Sequence, residues 1–154
     1  MPLVSRIEII KKSKQPVLSI KTTTDVEKLP MLIGECYGKI GNYLNEIGEF
    51  PGDIPYVRYF NMDMENLEVE IGFPVYKELK GKEDIESGYL PEMKAVYVMY
   101  QGAYQEMEQD YMKVMEWVEK NNIEPDGTMI ESYYNDPENV SEDKLLTGII
   151  MPLK

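Results

Sequence analysis

The feature that most constrains this chain is an internal duplication. The motif Tyr59-Phe60-Asn61 stands 74 residues before Tyr133-Tyr134-Asn135, and Pro74 stands 78 residues before Pro152. The two copies therefore keep one register apart from a difference of four residues in a loop. The register extends upstream, where YGKIGNYLNEIGEFP (residues 37–51) lies over YMKVMEWVEKNNIEP (residues 111–125). Tyr37 pairs with Tyr111, Ile40 with Val114, Tyr43 with Trp117 and Leu44 with Val118. A strand-like run precedes each helix-like run, at residues 17–21 and 95–99. Each half reads strand, helix, strand, strand, and a period of half the chain excludes a solenoid.

The elements follow from periodicity. Leu32, Ile33, Cys36, Tyr37, Ile40, Tyr43, Leu44 and Ile47 carry the three-four spacing of an amphipathic helix ending near Gly48. Gly34, Gly38 and Gly41 sit inside it, each costing roughly 1 kcal/mol against Ala, which points to close approach of a sheet or a ligand. Residues 56–61 and 67–75 alternate as antiparallel strands, and residues 128–134 and 145–153 do so in the second half. Residues 7–10 and 17–24 read as one interrupted strand or a hairpin. The expected organisation is one domain over residues 1–154: a first module over 1–76, a polar linker over 77–92 and a second module over 93–154.

Composition removes several chemistries. Histidine is absent and Cys36 is the only cysteine, so histidine-dependent triads, histidine-ligated zinc or haem, thiolate clusters and internal disulfides fall away, and neither a cofactor nor a metal is expected. A formal charge of -12 opposes binding of a polyanion, so no nucleic acid is expected to bind this chain alone. No apolar run reaches the roughly 20 residues of a membrane helix, and no secretory signal is visible, which makes the cytoplasm the expected location and a membrane no partner.

Twelve tyrosines and eleven methionines supply aromatic and thioether surface suited to core packing or to a pocket for flat ligands. Glu131 is the sharpest candidate. It shares a strand face with Met129 and Tyr133, while Ile130, Ser132 and Tyr134 point the other way. If that face is the inner one, a carboxylate among aromatic rings attracts a cation; on an outer face it is an ordinary edge glutamate. The ligand-binding candidates are Glu131, Tyr133, Tyr97, Tyr104 and Trp117 from the second half, with Tyr37, Tyr59 and Glu70 from the first. Glu68 and Glu70 alternate as solvent-facing positions do, and Cys36 falls on the apolar stripe of its helix.

Gln101-Gly102-Ala103-Tyr104, Trp117, residues 130–137 (IESYYNDP), residues 145–153 (LLTGIIMPL) and residues 68–75 (EVEIGFPV) together resemble the gyrase-inhibitor-like, or AraC-type effector-binding, domain family. The resemblance implies an α+β fold of two strand-helix-strand-strand modules related by a pseudo-twofold, with an antiparallel sheet and two helices framing a groove. It implies a domain that senses or sequesters aromatic or cationic small molecules, in the setting of transcription regulation or drug resistance; at this length the chain is expected to be a stand-alone member, monomeric or homodimeric. Glu131 matches the family's acid on the penultimate strand, whereas Gly148 and Ile150 stand where many relatives carry a second glutamate and an aromatic residue. Two alternatives stay open: hydrolysis of strained-ring electrophiles with Glu131 activating water, and a gyrase-inhibitor-like protein-binding role.

Overall fold

The computed structural model describes residues 3–154, arranged as eight strands, two α-helices and two short 3-10 turns. The elements are β1 (Glu8–Lys12), β2 (Gln15–Thr24), α1 (Leu29–Glu46), β3 (Tyr56–Tyr59), β4 (Leu67–Pro74), β5 (Glu86–Leu90), β6 (Met93–Gln101), α2 (Glu108–Lys120), β7 (Met129–Tyr133) and β8 (Leu146–Pro152). The chain divides into two compact units. The first, Ser13–Glu92, has α1 and an antiparallel sheet ordered β3-β4-β2-β5. The second, Met93–Lys154 with β1, has α2 and an antiparallel sheet ordered β1-β6-β8-β7. The fold is α+β. Among the described residues no helix is long and apolar enough to cross a membrane.

The duplication is visible hydrogen bond by hydrogen bond. Asn61 Nδ2 donates to the Asn66 carbonyl and its Oδ1 accepts from Glu68 N–H, at 2.9 and 3.1 Å. Asn135 does the same to the Lys144 carbonyl and Leu146 N–H, at 3.0 and 2.9 Å. Each asparagine thus closes its own β-loop, which is why the loop tolerates four extra residues in the second copy. Both helices also end alike. Glu49 N–H reaches back to the Leu44 carbonyl and Ile123 N–H to the Val118 carbonyl, at 2.9 and 3.0 Å. The residue that turns the chain sits at positive φ each time, 71° at Gly48 and 54° at Asn122. This is the left-handed cap that satisfies the last carbonyls of a helix.

Three expectations need correction. Of the two readings of residues 7–24 only the hairpin fails: β1 and β2 follow one another with a two-residue break, as an interrupted strand does, but β1 pairs with β6, and β2 pairs with β4 and β5. Only Ser13 and Lys14 separate β1 from β2, and neither favours the positive φ that a two-residue hairpin turn needs. The N-terminal strand accordingly belongs with the second module. The supposed linker at residues 77–92 carries β5, an edge strand whose polar composition disguises it, since only one of its edges is paired. The segment before it is strapped to α1 by Lys39–Asp84 at 2.8 Å, Lys82–Glu46 at 3.2 Å and the Tyr43 hydroxyl donating to the Lys80 carbonyl at 2.6 Å. Gly34, Gly38 and Gly41, finally, do not pack closely: a Cβ at any of them would meet nothing within 4 Å among the described residues. The stripe of α1 that faces the sheet is Cys36, Ile40 and Leu44.

In the second unit α2 lays Val114 and Val118 on a cluster formed by Val96, Val98, Tyr100, Met129, Ile149 and Met151, closed at one end by Met107. Trp117 is half-buried against it. Strand register fixes which sheet residues face the helix, in rows that run Val96, Met151; then Val98, Ile149, Glu131; then Tyr100, Thr147, Tyr133. The helix side of the sheet therefore includes Glu131.

Candidate functional site

Glu131 is half-buried at the middle of β7, on the side covered by α2. Both of its oxygens accept hydrogen bonds from phenols: Tyr111 Oη donates to Oε2 at 2.6 Å and Tyr133 Oη to Oε1 at 2.7 Å. Tyr111 comes from α2 and Tyr133 lies two residues along the same strand, so helix and sheet hold the carboxylate from two directions. The Tyr104 ring meets the Tyr133 ring edge-on, with centroids 5.7 Å apart. Tyr104 remains 39% exposed, so the aromatic wall reaches solvent. Burial, reinforced by the charges of Glu131 and Asp136, raises the Tyr104 phenol above its ordinary value. A carboxylate held by two phenols and flanked by ring faces is a fixed negative charge in an aromatic setting, which attracts a cation through charge and ring quadrupole together.

The structure brings Glu131, Tyr133 and Tyr104 together and adds Tyr111, which is not among the ligand-binding candidates named from the sequence. The duplication held the signal for it: Tyr111 lies over the candidate Tyr37, and Tyr133 over the candidate Tyr59. In the first unit the tyrosine pair is retained without the acid, because the position of Glu131 is there Val57, fully buried. Tyr37 instead donates to the Tyr56 carbonyl at 3.0 Å and its ring packs on Phe73, 5.1 Å between centroids. Tyr59 is buried there, on the α1 side of the sheet in the row of Val69.

Tyr97 and Glu70 are not part of the Glu131 cluster. Tyr97 lies in register with Ile150 and Ile130, on the sheet face away from Glu131. Burial and a 3.4 Å contact with the Tyr134 hydroxyl raise its phenol. The same two rings account for the departure at Gly148. A Cβ there would stand 3.0 Å from the Tyr134 ring and 3.4 Å from the Tyr97 ring, so the rings occupy the place of a longer side chain. Glu70 belongs to the first unit and is only 4% exposed, against the alternation that put it in solvent. It faces away from α1 in the row of Lys21 and Arg58, and it accepts a short hydrogen bond from the Tyr56 hydroxyl.

The chain belongs to the GyrI-like small molecule binding domain family, whose model matches residues 5–154. Comparison with curated protein sequences gives no match. Among solved structures, the chain is similar to EcmrR in its complex with DNA, with a TM-score of 0.83, 22% identity and 97% of this chain covered. It spans 57% of that protein's length. The EcmrR C-terminal domain matches along 99% of both chains, with a TM-score of 0.79 and 21% identity. A third neighbour is SAV2435 bound to tetraphenylphosphonium, with a TM-score of 0.68, 15% identity, and 97% of this chain and 94% of that one covered. At these identities the likenesses show a common fold.

Proposed function

We propose that the protein binds aromatic and lipophilic cations at Glu131, with Tyr111 and Tyr133 orienting the carboxylate and the Tyr104 ring covering the guest. The observation that carries this reading is the two-phenol clamp on Glu131, 2.6 and 2.7 Å long, in a half-buried aromatic setting. Removing an aromatic cation from water costs less than removing a small ion, and ring faces return roughly 0.5 to 2 kcal/mol of attraction. The family to which the chain belongs and the phosphonium cation bound by SAV2435 support the same chemistry. The role that follows is to sense or sequester such compounds in the cytoplasm. The match to the C-terminal domain of EcmrR, a protein seen in complex with DNA, supports a link to transcription control.

Thermal-shift titration with flat cations, neutral aromatics and strained-ring electrophiles, for the parent chain beside Glu131→Gln, tests the proposal. Cations should stabilise the parent, and Glu131→Gln should lose about tenfold or more in cation affinity while neutral aromatics bind as before. Turnover of an electrophile that Glu131→Gln abolishes while still binding it would replace the proposal with hydrolysis. Identical cation binding by both chains would remove Glu131 from the site.

A further inference from the structure

In register with the first copy, the second core departs from it at a few positions. The helix-facing positions are apolar in both for Ile40 and Val114, Leu44 and Val118, Ile71 and Ile149, and Ile20 and Val98. At three buried or half-buried positions the first copy has Cys36, Val57 and Val69, and the second has Asp110, Glu131 and Thr147. All three polar replacements fall in the second unit. Thr147 lies on the helix-facing side of the sheet, in the row between Tyr100 and Tyr133 and next to the row of Glu131. Asp110 immediately precedes Tyr111 in the first turn of α2.

Neither addition is fully satisfied by the fold. Thr147 is fully buried and its Oγ1 has no hydrogen-bond partner among the described residues. The Asp110 side chain is 2% exposed and its Oδ1 accepts no hydrogen bond among the described residues, with Lys113 Nζ at 3.6 Å as its ion-pair neighbour. Thr147 is the cross-strand partner of Tyr100, whose phenol is raised by burial and then by the charge of Asp110. The Tyr100 hydroxyl is itself committed to the Ala103 carbonyl at 2.6 Å. Val69 shows that a side chain of threonine's shape without the hydroxyl serves the same place in the fold. Valine and threonine differ by that hydroxyl alone, so the orphaned atom is a cost to the closed structure. The segment leading into α2 is the exposed 3-10 turn Tyr104–Glu106, whose Tyr104 ring meets that of Tyr133, the cross-strand partner of Thr147; the helix start after it has no side-chain cap. Among the described residues no hydrogen bond joins this turn to the side chain of Thr147 or Asp110, so displacing it would cost neither of them a partner.

We propose that Thr147 and Asp110 form a second polar subsite beside Glu131, opened when the Tyr104–Glu106 turn lifts, which selects cationic ligands that carry N–H donors. An ammonium N–H finds acceptors in Asp110 Oδ1 and Thr147 Oγ1, whereas a quaternary ammonium or phosphonium offers neither atom a donor. The subsite rests on Glu131 being the cation-binding acid, and the test separates the two claims.

Calorimetric titration of benzylammonium and benzyltrimethylammonium, matched in ring and charge, into the parent chain, Thr147→Val, Thr147→Ser, Asp110→Asn and Glu131→Gln supplies that test. The parent should prefer benzylammonium by on the order of tenfold. Thr147→Val should abolish the preference with the trimethyl cation's affinity unchanged and with thermal stability equal or higher; Thr147→Ser should restore it, and Asp110→Asn should reduce it. Glu131→Gln should weaken both ligands alike. A Thr147→Val preference equal to the parent's, with Glu131→Gln still weakening both cations, overturns the subsite and spares the Glu131 site. Glu131→Gln binding both cations as the parent does, or no binding by the parent, overturns both.

Discussion

Glu131 owes its place to a strand register and its setting to two phenols. Each hydroxyl contributes a charge-assisted hydrogen bond that holds the carboxylate where a guest meets it. Replacing either donor leaves the acid present but free to rotate. Tyr111→Phe and Tyr133→Phe should each lower cation affinity by a factor of roughly five to ten, about 1 kcal/mol, and less than Glu131→Gln does. The pair should combine non-additively, because the two phenols hold one carboxylate; calorimetric titration of the single and double variants reads this directly. At this scale the sequence was legible in part. Alternation along β7 placed Glu131 with Met129 and Tyr133 on one face, as observed. Tyr111 was hidden because a tyrosine on an apolar helix stripe reads as core until the partner it donates to is known. Asp110 and Thr147 were hidden because a single copy gives no contrast; only against Cys36 and Val69 do they stand out as polar insertions.

Strands, helices and the turns that end them follow a common plan in both copies, and departures from it are informative. The left-handed residue after α1 is Gly48, while its counterpart after α2 is Asn122. Glycine occupies positive φ without the Cβ clash that a side chain meets there, and asparagine is among the residues that tolerate it best. Gly48→Ala should therefore destabilise the chain by about 1 kcal/mol, whereas Asn122→Gly should change stability by less than about 0.5 kcal/mol; denaturant midpoints at constant slope check both. The elements themselves were readable because each copy confirmed the other: the helix spans, the β3–β4 and β7–β8 pairs and the Asn61 and Asn135 loop closures recur in step. The edge strand β5 and the pairing of β1 were not readable. An edge strand needs no second apolar face, and partner choice across a long stretch of sequence leaves no local trace.

Over the whole molecule, polar groups buried among apolar ones make folding answer to pH. Burial, with the Glu70 charge and hydrogen bond, holds the Tyr56 phenol far above its ordinary value, and Tyr97 is raised by burial and Tyr134. A raised folded-state value means that the folded chain binds these protons more tightly than the unfolded one. Their contribution is complete below the unfolded phenol value of about 10 and is lost as pH rises past it. Unfolding free energy should fall steeply above about pH 10, and the slope should be shallower in Tyr56→Phe. The same variant should cost about 1 to 3 kcal/mol near neutrality, because Glu70 loses its buried donor.

Anomalous diffraction from crystals soaked with tetraphenylarsonium tests the central claim most directly, because arsenic marks the cation's centre without reference to its aromatic rings. The account predicts a peak beside the Glu131 carboxylate in the second unit, walled by Tyr104, Tyr111 and Tyr133, and its loss in Glu131→Gln crystals. A peak on the Tyr97 and Tyr134 side of the sheet, or one beside Glu131 that persists in Glu131→Gln, would contradict it.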